Sequence, residues 1–403
     1  MTVPASGTLT ADVAVIGLGG LGSASAYWLA RSGTTVIGLE RFELGHVRGA
    51  SHDHSRIIRR SYHTPGYVEL TAGAYEAWTE VERDADTTVV TRTGGIDLFP
   101  AGASIAPGPY RDSLDAVGVP YEWLDADEVR RRWPAFERGT IVRDDVHAIF
   151  SPETGIVPAG PATALLQRLA TDHGASLLDR TVVRSIDPSG GEVVIETDDG
   201  TVRCGSVVVC ADGWTNHLLE PLGHRISMAT TREQVSYFAT ADPIDVDDLR
   251  PGRFPVWIWM DDPSYYGFPT FGPAEVADSA KGAEDCGGDE VDPDHRTFEP
   301  DPGMERRLAA FMADLVGDRF STPRTTTCLY TLTADRDFVL DRLPEHPHVC
   351  VGLGAAHGFK FAAWFGRTLA DLATGALPGP ELAPFAIDRP ALSAPLDRAA
   401  WLV

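Results

Sequence analysis

Lysine is almost missing: Lys281 and Lys360 are the only two in 403 residues, beside 32 arginines. Ammonium is a compact point charge whose pKa moves on burial, whereas guanidinium is planar and always charged, so the two are not interchangeable at a reaction centre. A chain that uses arginine for nearly every other cation has kept an ammonium at two places. Cationic charge as a whole is scarce, with a formal net charge of −24. That excludes nucleic acid, whose phosphates require a cationic stripe, and disfavours anionic membrane surfaces. The same balance suits a salt-adapted host or a GC-rich genome. Cysteine is limited to Cys204, Cys210, Cys286, Cys328 and Cys350, without disulfide-framework or metal-site spacing. We expect no disulfide, no metal and a reducing compartment. Residues Met1 to Thr10 lack a charged and apolar leader, and no run approaches the ~20 apolar residues of a membrane span, so a soluble cytoplasmic protein is expected.

The first motif is a βαβ unit. Ala11 to Gly17 is a β-branched run entering Gly17-Leu18-Gly19-Gly20-Leu21-Gly22. A small-residue helix is expected over Ser23 to Ser32, and a second strand over Thr34 to Leu39 ends at Glu40. Glycines at Gly17, Gly19 and Gly22 permit a tight turn and close approach to a pyrophosphate at a helix N-terminus. The acid can accept from ribose hydroxyls, which disfavours NADP. Ser206 to Cys210 reads as another buried strand, opening into Ala211-Asp212-Gly213-Trp214, and Val349 to Gly354 leads into a loop with His357, Gly358 and Lys360 and a helix from Phe361 to Thr374.

The length exceeds the ~250–300 residues at which single cores split. The spacing predicts a discontinuous nucleotide-binding domain (1–90, 151–225 and 325–392), a second domain (91–150 and 226–324) and a tail (393–403). The fold class is α/β, a Rossmann-like domain plus an α+β domain with a mixed, largely antiparallel sheet. Val256 to Met260 and Tyr265 to Thr270 read as strands of the second domain. Between Gly272 and Gly303 the Gly, Asp and Glu content predicts a long exposed loop.

Four blocks in order, the glycine motif, Ser55-Arg56-Ile57-Ile58-Arg59, Cys328-Leu329-Tyr330-Thr331-Leu332-Thr333 and His357-Gly358-Phe359-Lys360, are similar to those of the sarcosine oxidase, N-methyltryptophan oxidase and fructosyl amino acid oxidase family. These are FAD-containing amine oxidases, and the resemblance runs from about Asp12 to Leu392. It implies FAD, carried covalently through the Cys328 thioether, with Val183, Gly213, Trp214, Gly354, His357, Gly358, His52 and Ser55 at cofactor positions. It implies Arg56 beside the flavin ring, Arg59 and Lys360 on a substrate carboxylate, and Tyr266 and Tyr330 lining the cavity. Lys281 matches the lysine that promotes reaction with oxygen. Asp285, four residues on, stands where sarcosine oxidases have histidine, and with Glu284 before it forms an acidic pair that resembles the fructosyl amino acid oxidase branch, which implies a bulkier, polyhydroxylated or cationic amine.

The resemblance implies a monomer oxidising a small amine or amino acid by hydride transfer, with O2 reduced to H2O2. The amine must be unprotonated: fixed cations would favour that, whereas Asp285 would oppose it. Other functions compatible with the sequence are a flavin dehydrogenase with another acceptor, and a non-catalytic dinucleotide-binding module.

Overall fold

The computed structural model describes residues 7–240, 243–321 and 323–401, so 1–6, 241, 242, 322 and 402–403 of the expected segments lie outside the described residues. Continuous β-branched runs build the first sheet because a parallel sheet covered on both faces has no polar side to alternate with. Thr8–Ile16 lies between the parallel strands Thr201–Val209 and Val36–Leu39, and Ser176–Leu178 follows on the Val36 side. The outer edge of Thr201–Val209 is shared. Its first half pairs antiparallel with Val193–Thr197, and Val207 to Val209 pair parallel with His346–Leu353. The helices Gly20–Arg31, Ala159–Asp172 and Ala362–Ala373 pack together beside this sheet. Small residues let them approach, since a Cβ on Gly366 would lie 2.4 Å from Ala24.

The second sheet runs Asp289–Glu290, Met228–Ala239, Ser279–Glu284, Tyr265–Phe268, Val256–Trp259, Gly95–Phe99, His147–Ser151 and Glu122–Asp125. Arg324–Thr333 pairs along the other side of Met228–Ala239. Only Val256–Trp259 against Gly95–Phe99 is parallel. Two expectations change here. The segment 272–303 is not one exposed loop, because Ser279–Glu284 is a strand buried at every position. The Cys328 block, placed with the nucleotide-binding domain by the expected 325 boundary, pairs in the second sheet instead.

Strand alternation divides this sheet into two faces. Ala280, Phe238, Trp257 and Tyr265 join Leu308 and Met312 of helix Pro302–Val316 in one apolar core. Their neighbours in sequence therefore point the other way. Register places Tyr237, Lys281 and Phe268 in one row, and Ala283, Tyr266, Ile258 and Asp97 in the next. Cys328 sits opposite Glu233, two residues from Tyr330 on the same side. A small third sheet, Arg56–Ile58 with Gly155–Val157 and Thr91–Arg92, packs Ile57 against Tyr266 and Phe268. Among the described residues no helix is long and apolar enough to cross a membrane, and the five cysteines are free.

Candidate active site between the two sheets

The first strand ends in a turn that only glycine fits. Gly17 has φ +87, and a Cβ there would lie 2.4 Å from the Cys210 carbonyl oxygen. A Cβ on Gly22 would come within 1.8 Å of the Gly17 oxygen, so the turn and the helix behind it close on each other. Gly19 offers this helix no capping side chain, and the first helical N–H, of Gly20, donates to Ser51 Oγ at 2.9 Å, with the helix's positive end directed at the turn. Glu40 accepts from the backbone N–H of Leu18 at 2.8 Å and of Phe42 at 3.0 Å. Burial alone would raise its pKa, but His46 and those N–H groups outweigh burial and hold it below the usual range. A cavity of about 370 Å³ runs from this turn past Val183 and Trp214 to Tyr330, Gly354 and Gly358. Gly17, Gly19, Glu40, His52 and Arg56 also line it, whereas Gly22, Ser55, Gly213, Cys328, His357 and Lys360 are not on its wall.

Beyond the cavity, buried cations meet buried acids. Lys281, 2% exposed, donates to Asp53 Oδ2 at 2.5 Å and to the Ser55 carbonyl oxygen and Oγ, both at 3.0 Å. Asp53 also accepts from the Tyr237 hydroxyl and lies 3.5 Å from Arg56. Burial pushes Lys281 down to about 8, with Asp53 opposing and Arg56 adding to the fall. Burial would raise the Asp53 pKa, but Lys281 and Arg56 hold it far below the ordinary range.

Arg59 and Lys360 converge on Tyr62. The Arg59 Cζ lies 4.9 Å from its ring centre and the Lys360 Nζ 5.6 Å. Arg59 reaches Asp97 at 3.5 Å. Lys360 donates to the His357 carbonyl oxygen at 2.8 Å, and among the described residues no carboxylate lies in ion-pair contact with it. Burial, then Arg59 and Arg336, push its pKa well below the ordinary lysine value. Arg336 donates to Asp285 at 2.7 Å and to the Trp401 carbonyl. His357 Nε2 lies 3.0 Å from the Arg336 carbonyl oxygen, which can only accept, so Nδ1 accepts from Tyr62 O–H at 3.3 Å. The Tyr266 and Tyr330 hydroxyls are 3.0 Å apart. Cys328 is buried, and burial drives its thiol up to about 11 despite Arg56.

Residues 12–372 match the family model described as FAD dependent oxidoreductase. The chain belongs to that family. It is 31% identical over 392 residues to monomeric sarcosine oxidase of Bacillus sp. (strain B-0618), covering 96% of this chain and 98% of that protein. It is 35% identical over 373 residues to monomeric sarcosine oxidase of Streptomyces avermitilis, covering 90% and 94%. Among solved structures it resembles NikD, an unusual amino acid oxidase essential for nikkomycin biosynthesis, with TM-score 0.82 and 26% identity over 94% of this chain and 97% of that one.

The cavity of this FAD-dependent oxidoreductase fits the cofactor of its family. Its glycine cradle admits no Cβ at Gly17 or Gly22, and the buried His52 Nε2 has no hydrogen-bond partner among the described residues. His52 is held neutral, its pKa lowered to about 3 by burial and then by Arg56. Asp285 accepts from Arg336 at 2.7 Å, so that part of its charge is compensated within the protein.

Sequence reasoning missed Asp53, Asp97, Tyr62 and Arg336. Asp53 stands two residues before Ser55, and Arg336 four after Leu332, so both lay at the margin of blocks already singled out. The signal for Asp97 was an acid inside an otherwise apolar strand, Gly95–Phe99, that is buried throughout. Tyr62 carried no signal of its own.

Proposed function

We propose that this flavoprotein oxidises a secondary amine or N-substituted amino acid bearing one carboxylate, passing the electrons to O2 with release of H2O2. The observation that carries this reading is the pair of buried cations, Arg59 and Lys360, converging on one aromatic ring, with Arg336 acting on both Lys360 and Tyr330. Bound FAD supplies the two-electron acceptor for the C–H bond next to the amine. Arg59 offers a planar fork and Lys360 a point charge with unused donors, a combination suited to one carboxylate. Their field disfavours an ammonium nearby. Asp285, which would have opposed that, is offset by Arg336, so the site favours the unprotonated amine. Tyr266 and Tyr330 give an aromatic wall with one shared hydroxyl pair. Gly17, Gly19, Gly22 and Glu40 would hold the dinucleotide, with Val183 and Trp214 along its length, and Arg56 beside the ring.

Covalent attachment at Cys328 belongs to the same reading. It is supported by the cysteine's place on the site-facing side of the sheet, next to Tyr330 and within the influence of Arg56. Because the thiol is protonated at neutral pH in the protein alone, linkage would have to follow cofactor binding. Acid-precipitated protein should stay yellow, and Cys328→Ser should give a colourless pellet with a yellow supernatant. Yellow colour released from the unaltered protein would remove the linkage. The free cysteines and the lack of a membrane-length helix among the described residues support a cytoplasmic enzyme, taken here as a monomer.

The deciding experiment is anaerobic titration of the yellow protein with sarcosine, N-methyltryptophan, pipecolate and fructosyl-valine. Bleaching of the visible band by one of them is expected, and a cofactor-replete protein that none of them bleaches rejects these substrates. The full occupation of the Lys281 donors favours a second reading, a dehydrogenase with another acceptor. One peroxide formed per substrate in air selects the oxidase.

A further inference from the structure

Both lysines of the chain are buried, yet among the described residues only Lys281 is bonded to a carboxylate, Asp285 acting on Lys360 from a distance. Lys360, 8% exposed, bonds a single carbonyl oxygen. Lys281 has its three N–H groups on Asp53 and Ser55. Asp53 is itself over-determined. It has φ +80, a conformation rare outside glycine. Its carboxylate accepts from Tyr237, and its carbonyl oxygen accepts from the Gly160 N–H at 2.9 Å. Such a residue persists in a strained conformation only when its surroundings hold it there.

We infer that Asp53 is a positioning residue: it ties the Lys281 ammonium to the site-facing side of the second sheet and keeps it charged in a place where burial alone would discharge it. The groups around Lys281 support this. The Phe268 ring lies 4.8 Å and the Tyr237 ring 5.9 Å from Nζ. Arg56, on the segment of Ser55, pushes the lysine towards neutrality, and Cys328, on the strand beyond Met228–Ala239, is a protonated thiol at neutral pH. His52 is neutral. Among the described residues Asp53 is therefore the one carboxylate bonded to this ammonium. A buried ammonium robbed of its acid gives up its proton. The catalytic consequence, a charged Lys281 at the oxygen step, rests on the function proposed above, whereas the pairing does not.

The scarcity of lysine makes the test direct. Lysine labelled with 13C at Cε gives signals from two residues, assigned with Lys281→Met and Lys360→Met, and each can be titrated in the flavin-replete protein. In the unaltered protein Lys360 should lose its proton at lower pH than Lys281. In Asp53→Asn the Lys281 midpoint should fall by more than about one pH unit, a tenfold change in proton affinity. Peroxide formation in air should then decline with rising pH through that lower midpoint. A Lys281 midpoint at or below that of Lys360, or one unmoved by Asp53→Asn, overturns the inference. The order of the two lysines needs no variant at Asp53, so the test survives if Asp53→Asn does not fold. A midpoint that falls while peroxide formation keeps its original pH dependence upholds the pairing and removes Lys281 from the oxygen step.

Discussion

Arg59 has two partners to serve, the Asp97 carboxylate it already faces and the substrate carboxylate it is proposed to hold, and substitutions can separate them. Removing one member of a buried ion pair leaves an uncompensated charge and typically costs about 3–5 kcal/mol, whereas replacing both is often neutral. Arg59→Met should therefore lower the melting temperature sharply, because burial already strains Asp97 towards its neutral form. Arg59→Met combined with Asp97→Asn should restore stability while KM remains high. A double variant that regains substrate affinity would mean that Arg59 does not touch the substrate. At this scale the sequence was informative where a residue type was rare or stood inside a dense motif, as with both lysines, Arg56 and Arg59. It was weak on Asp97, whose one mark was an apolar setting, and on Asp53, since acids are common in this chain and little in one dimension tells a buried counter-ion from a solvated surface charge.

The helices Gly20–Arg31 and Ala362–Ala373 each begin beside the site, one at the glycine turn and the other just after Lys360. Their close crossing at Gly366 and Ala24 thus sets the distance between the dinucleotide cradle and the carboxylate clamp. Gly366→Ala would place a methyl 2.4 Å from Ala24. Overpacking of this kind costs about 1–3 kcal/mol and moves backbone. The variant should melt earlier, retain less flavin per chain and show raised KM; unchanged flavin content and KM would show that the crossing does not transmit to the site. Both helices were legible from small-residue and apolar patterning, and so was the first βαβ unit. The strand Ser279–Glu284 was not, for a physical reason. It is buried on both faces, yet its residues are small or charged, Ser-Ala-Lys-Gly-Ala-Glu, with no alternation to read. Gly282 accommodates Leu308 and Met312 on one side, and Asp53 with Ser55 satisfies Lys281 on the other. Its identity as a strand depends on partners far away in the chain.

The molecule as a whole carries its acidity outside. Arginines such as Arg131, Arg184 and Arg203 form exposed pairs with Glu128, Asp198 and Glu192, yet the chain retains a net charge of −24. Exposed pairs contribute ~0–1 kcal/mol each and weaken in salt. The unpaired excess repels itself over distances that salt also shortens, the screening length being about 30 Å at 0.01 M and about 10 Å at 0.1 M. The repulsion sums over the whole surface and the pairs act singly, so relief of repulsion should win. The melting temperature should rise as sodium chloride increases from about 0.01 M through this range. The buried pairs Lys281–Asp53 and Arg336–Asp285 are shielded from the added ions, so flavin reduction by a saturating substrate should stay constant over the same series. Thermal scans and anaerobic reduction measured side by side decide the matter. A melting temperature that falls with salt would mean that the exposed pairs outweigh the excess charge, and a reduction rate that tracks salt would mean that ions reach the site.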